Sequence, residues 1–131
     1  MKSLMKIAFL GGLAFMSVAG ARAAEGNADA GKKIFARCAV CHGIGDKKGA
    51  VGPSLNGVIG RTAGTLDEYK GKYSKQMIAA GQAGLVWSQA EIIDWVTDPK
   101  KKIPGTKMMY PGLPKEQDRA DVAAYVATFS K

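Results

Sequence analysis

Cys38-Ala39-Val40-Cys41-His42 decides how the rest of this chain is read, because it brings together its two cysteines and its single histidine. The spacing C-x-x-C-H is the attachment signature of a c-type haem. Two thiols about one helical turn apart can each add across a vinyl group of one porphyrin, and the next residue places an imidazole under the iron. A neutral imidazole nitrogen is a good iron ligand, and its second nitrogen needs an acceptor that fixes the ring, usually a carbonyl or carboxylate.

Other chemistries would have to use the same atoms. A structural zinc site needs four ligands, and two thiolates with one imidazole fall short unless a carboxylate is recruited. A thioredoxin-like C-x-x-C belongs in a β-α-β setting with β-branched runs, which this sequence lacks. A plain disulfide is badly aimed between residues spaced i, i+3 on a helix.

Upstream of the motif, Lys2 and Lys6, an apolar centre from Ile7 to Val18, and Ala21-Arg22-Ala23 have the order of a secretory leader with a small-x-small cleavage site. Ser17-Val18-Ala19 and Ala19-Gly20-Ala21 also satisfy the small-residue rule, with cleavage after Ala23 preferred. The apolar centre is shorter than the roughly 18–20 residues needed to span a bilayer, so stable membrane insertion after cleavage is not expected. Residues 1–23 are thus read as leader and 24–131 as one small exported domain, periplasmic in a bacterium.

The 131-residue chain carries a formal charge of +8, and Lys2, Lys6 and Arg22 leave with the leader, so the mature domain retains +5. A small basic exported domain suits transient contact with an acidic protein surface. No nucleic-acid motif is present, and a monomer is expected. The core of so short a domain is thin for its surface, and a buried porphyrin would help to fill it.

Along the chain, Asn27 or Asp29 can cap a helix running into the motif, with Ile34, Cys38 and Cys41 on one face. Glycine recurs at 43, 45, 49, 52, 57, 60 and 64, which excludes helix and sheet interiors and leaves an ordered loop. A short helix follows Ser74 and is expected to stop at Gly81. Ser88-Gln89-Ala90-Glu91 has the form of a capping box, opening a helix with Ile92, Trp95 and Val96 as its buried stripe and Asp98-Pro99 as its end. Prolines at 99, 104, 111 and 114 predict a long loop without regular structure. Pro114 then introduces a last helix, with Val122, Tyr125, Val126 and Phe129 at i, i+3, i+4, i+7. The fold class is all-α with long loops.

These landmarks in this order resemble a class I cytochrome c of the cytochrome c2 and mitochondrial cytochrome c group. The resemblance runs over nearly all of the mature chain: Gly31-Lys32-Lys33-Ile34-Phe35, the haem motif, Gly52-Pro53-Ser54-Leu55-Asn56-Gly57 with Arg61, Trp87, Asp98-Pro99-Lys100-Lys101 and Ile103-Pro104-Gly105-Thr106-Lys107-Met108. It implies a small helical fold wrapped around one haem c, attached to Cys38 and Cys41. His42 would be the proximal iron ligand and Met108 the distal one. Pro53 would offer its carbonyl to His42, and Arg61, Tyr73 and Trp87 would surround the propionates. Gly31 and Tyr125 would meet where the first and last helices pack. Trp95 stands where the family usually has a tyrosine near the methionine, so that hydroxyl is missing here.

The segment between Phe35 and Cys38 is one residue shorter than in the mitochondrial relatives, and the loop from His42 to Pro53 also differs slightly in length. Met109 is the rival sulfur, and the motif favours Met108.

The activity implied is one-electron carriage between membrane redox complexes or periplasmic dehydrogenases and an oxidase or reaction centre, without catalysis at iron. Lys100, Lys101, Lys102 and Lys107 would form the docking rim for acidic redox partners. The alternative is a haem enzyme or ligand sensor, peroxidase-like, with an open or displaceable distal site. Such a site wants a distal acid/base group, and there is no second histidine to supply it.

Overall fold

Asn27 opens the first helix, α1 (Ala28–Phe35), by accepting hydrogen bonds from the amides of Asp29 and Ala30 at 2.9 and 3.1 Å. The computed structural model describes residues 24–131, so the leader assigned to residues 1–23 lies outside the described residues. α1 ends earlier than the periodicity predicts. From Ala36 onward the amides of Ala36, Arg37 and Cys38 reach back three residues, and the haem motif lies in a series of turns. Such tightening satisfies carbonyls that a helix end leaves open.

Residues 43–64 form the predicted loop, followed by a 3-10 turn at Asp67–Tyr69. Helix α2 (Lys75–Gln82) is capped by Ser74, whose hydroxyl accepts from Met77 N at 3.0 Å. Gly81, expected to stop this helix, is instead inside it and buried. A Cβ there would fall within the van der Waals radius of the Ala63 carbonyl, so the residue is required by close approach of backbone. The left-handed residue after the helix is Gly84, at φ +106°.

Helix α3 (Gln89–Thr97) carries the expected buried stripe Ile92, Trp95 and Val96. Its capping box is half formed. Ser88 Oγ accepts from Glu91 N at 3.1 Å, while the Glu91 carboxylate turns to Lys102 rather than back to Ser88. The loop predicted from residue 99 begins with a single helical turn, α4 (Pro99–Lys102), capped by Asp98 through Lys101 N at 3.2 Å. Proline suits that first position because the N–H it lacks would have no partner there.

Helix α5 (Glu116–Ala127) packs along α1 and also against α3, while α4 rests on α3. Phe35 and Tyr125 approach with ring centroids 5.4 Å apart, and Trp87 and Trp95 with 5.7 Å. These rings join Val122, Val126, Ile92, Val96, Ile103 and Leu113 in one core. Among the described residues there is no β-strand, only isolated bridges pairing Ile44 with Lys47 and Thr62 with Val86. The helices therefore supply a frame, and the long loops span the space between them.

Candidate functional site

The turns after α1 leave Cys38 and Cys41 as free, half-buried thiols, with Cys38 against the core. Burial raises the Cys38 pKa above the usual thiol value, only partly offset by Arg37. The main chain then folds back: Val51 N and Gly52 N both donate to the Cys41 carbonyl, at 3.3 and 2.8 Å. This return places Gly52 against the imidazole, where a Cβ would sit 2.5 Å from His42 Cε1. It also brings the Pro53 carbonyl 2.8 Å from His42 Nδ1.

That hydrogen bond selects the tautomer with the proton on Nδ1 and leaves Nε2 with a lone pair. Burial lowers the pKa of His42 below the ordinary imidazole value, against the raising effect of the Pro53 carbonyl. A neutral ring with one nitrogen anchored and the other uncommitted is what an iron ligand requires. The donor set therefore fits a covalently bound haem: two thiols on consecutive turns and one oriented imidazole. Among the described residues no group of three His, Cys, Asp or Glu side chains is placed to hold a metal ion.

Met108 is half-buried and packs on the core, with its amide held by Thr106 Oγ1 at 3.1 Å. Met109, the other sulfur, points outward at 81% exposure. Arg61 and Tyr73 lie side by side, and Trp87 is tied to Arg61 through the main chain. Arg61 donates to the carbonyls of Ser54 and Asn56 at 2.9 and 2.7 Å. Its own carbonyl accepts from Trp87 N at 2.9 Å. Tyr73 Oη accepts from Leu66 N at 3.3 Å. Burial lowers the Arg61 pKa and raises that of Tyr73, and each opposes the other's shift by its charge, so the pair lies in one partly desolvated corner.

Residues 28–130 match the cytochrome c family. The chain belongs to that family. Cytochrome c2 of Rhodoblastus acidophilus is 48% identical over 105 residues, covering 79% of this chain and 94% of that one. Cytochrome c-554 of Methylosinus trichosporium is 39% identical over 130 residues, covering 98% and 95%. Among solved structures, cytochrome c2 from Rhodospirillum centenum superimposes with a TM-score of 0.72 at 40% identity, covering 81% of this chain and all of that one. The class I cytochrome c fold and the covalent haem c, one per chain, follow from this membership. So does the coarse function: a cytochrome c2-like electron carrier, not an enzyme.

The four lysines differ in their surroundings. Lys100 and Lys101 are exposed. The Lys102 side chain is 16% exposed, and its ammonium lies 2.5 Å from both Glu91 Oε2 and Asp94 Oδ2. Its pKa is raised overall, burial acting against the charge and the two carboxylates prevailing. Lys107 is exposed but donates to the Lys72 carbonyl at 2.9 Å.

Sequence reasoning also missed two braces. Asn56 accepts from Gly45 N at 2.7 Å and donates to the Gly45 carbonyl at 2.9 Å. Tyr69 donates to the Val51 carbonyl at 2.8 Å. Asn56 lies in the Gly52–Gly57 stretch that the sequence singled out, so its position gave a weak signal. Nothing near Tyr69 in sequence pointed to Val51.

Proposed function

We propose that this cytochrome c is exported to the periplasm as residues 24–131, and that it shuttles single electrons through a haem that Cys38, Cys41, His42 and Met108 would hold. Bound haem supplies a one-electron iron couple. Cys38 and Cys41, free thiols in this structure, would hold it covalently. His42, kept neutral and oriented by Pro53, would offer its free nitrogen to the iron, and Met108 would offer a soft sulfur that favours the reduced state. Arg61, Tyr73 and Trp87 would face the propionates, with the Arg61 guanidinium as the fixed positive charge. The observation that carries this reading is the His42 Nδ1 to Pro53 carbonyl contact of 2.8 Å, which commits one imidazole nitrogen and frees the other.

The partners proposed are acidic redox proteins, met briefly through the exposed Lys100 and Lys101 and the rim around Lys107. The leader reading and the bacterial cytochrome c2 relatives support the export step. No helix among the described residues is long and apolar enough to cross a membrane.

The test is carbon monoxide binding to the reduced haem-loaded protein, followed in the visible spectrum. Wild type should resist carbon monoxide, whereas Met108→Ala should retain the haem, bind carbon monoxide and have a lower reduction potential. Equal binding by both would remove Met108 from iron and favour the ligand-sensor or peroxidase-like reading.

A further inference from the structure

We infer that Lys102 is a positioning residue for Met108, clamping α4 to α3 so that the segment carrying the sulfur is held closed over the iron. This rests on Met108 being the distal ligand and adds what keeps it there. Residues 103–113 leave helix α4 and return to the core with both ends tied to the same helix. At the far end Leu113, a fully buried side chain, donates its amide to the Val96 carbonyl at 2.7 Å. At the near end the tie is ionic, since Lys102 Nζ bridges Glu91 and Asp94, one turn apart on α3. Between the ties, Ile103 N donates to the Pro99 carbonyl, Thr106 N to Ile103, and Met108 N to Thr106 Oγ1. Any displacement of α4 is thus passed toward Met108.

The two carboxylates explain why a cation is needed. Glu91 and Asp94 are like charges at i, i+3 and repel along the helix. Lys102 answers both with one ammonium. The carboxylates are 39% and 66% exposed, so solvent screens them and the clamp is of moderate strength. It is lost when the segment opens and re-formed when it closes. Lys100 and Lys101, on the same turn, have no such partners among the described residues, which separates the clamp from general basicity of the run.

The experiment follows azide binding to the oxidised, haem-loaded protein by stopped flow. At saturating azide the rate is limited by how often the methionine segment opens. Lys102→Met, which keeps the apolar stem and removes the charge, should raise that limiting rate about tenfold, equivalent to about 1.4 kcal/mol. Lys102→Arg should stay within about twofold of wild type. Combining Glu91→Gln with Asp94→Asn should also accelerate opening, and adding Lys102→Met to that pair should change little further. Amide hydrogen exchange at Ile103, Thr106 and Met108 should quicken in Lys102→Met while that of Leu113 does not.

A wild-type limiting rate in Lys102→Met overturns the clamp, even with a lowered melting temperature, because that pattern marks a purely structural lysine. Met108→Ala separates the two readings. If wild type takes up azide as fast as Met108→Ala, the ligand assignment itself fails. If Met108→Ala is fast and Lys102→Met remains slow, only the clamp fails.

Discussion

Replacing Gly31 by alanine should destabilise the haem-loaded domain, although alanine is the better helix former by about 1 kcal/mol. Gly31 is buried within α1 where that helix crosses α5. An added Cβ would stand 2.8 Å from Tyr125 Cβ and closer still to the Asp121 carbonyl oxygen. Ordinary carbon contacts need about 3.5–4.0 Å, and the Asp121 carbonyl is nearer than Tyr125, so the two backbones must part by more than about 1 Å. Backbone cannot yield as a flexible side chain would, and overpacking of this kind costs about 1–3 kcal/mol.

Parting the helices also pulls at the Asn27 amide, which donates to the buried Asp121 carboxylate at 2.8 Å, and a weakened hydrogen bond adds about 1 kcal/mol. The Phe35–Tyr125 ring contact lies one turn further along. Together these outweigh the gain in propensity and leave a net loss of about 2 kcal/mol. Guanidinium unfolding of the haem-loaded protein should give a lower midpoint at unchanged slope. Stability equal to or above wild type would refute the reasoning, since it would mean that helix propensity prevails and the crossing is looser than the structure shows.

Cys38→Ala or Cys41→Ala should each reduce retention of haem through denaturing chromatography, and the haem-free mature chain should lack a cooperative thermal transition. A sharp melt of the haem-free domain would show that the loops pack adequately without cofactor. Lys101→Glu and Lys107→Glu should slow electron transfer to an acidic partner at low salt far more than they shift the potential. The contact should be below roughly 1,200 Å² and its association rate should fall as the Debye length shrinks to about 10 Å at 0.1 M salt. Rates indifferent to salt and to both reversals would make these lysines solvated surface.

What could be read from the sequence was chemistry carried by neighbours in the chain. Ser74 and Ser88 act as caps because a cap bonds an amide two or three residues on, so the signal and its partner share one short window. The motif Cys38 to His42 is legible for the same reason. Gly81 was misread because the atom that demands it, the Ala63 carbonyl, is distant in sequence, and glycine marks close approach as readily as it marks a helix stop. The turn at Pro99–Lys102 is hidden in the sequence because four prolines between 99 and 114 mark the whole stretch as irregular, although Pro99 itself stands at a favoured helix start.

The lysine run shows where such reading ends. Lys100, Lys101 and Lys102 are identical letters in succession, and no local rule distinguishes them. The structure does, because one turn of α4 directs Lys102 onto carboxylates 8 and 11 residues earlier, while Lys107 reaches a carbonyl 35 residues earlier. Glu91 then has two claims on it, one as the return half of a capping box and one as an ion-pair partner. The local exchange between a carboxylate and its own helix terminus is worth about 1 kcal/mol and can be replaced by water. The Lys102 ammonium, with its side chain 16% exposed, gains from two carboxylates at once, whereas the cap return would satisfy a single amide. The long-range claim therefore prevails, and a residue that reads as a cap from the sequence becomes part of the support beneath the methionine segment.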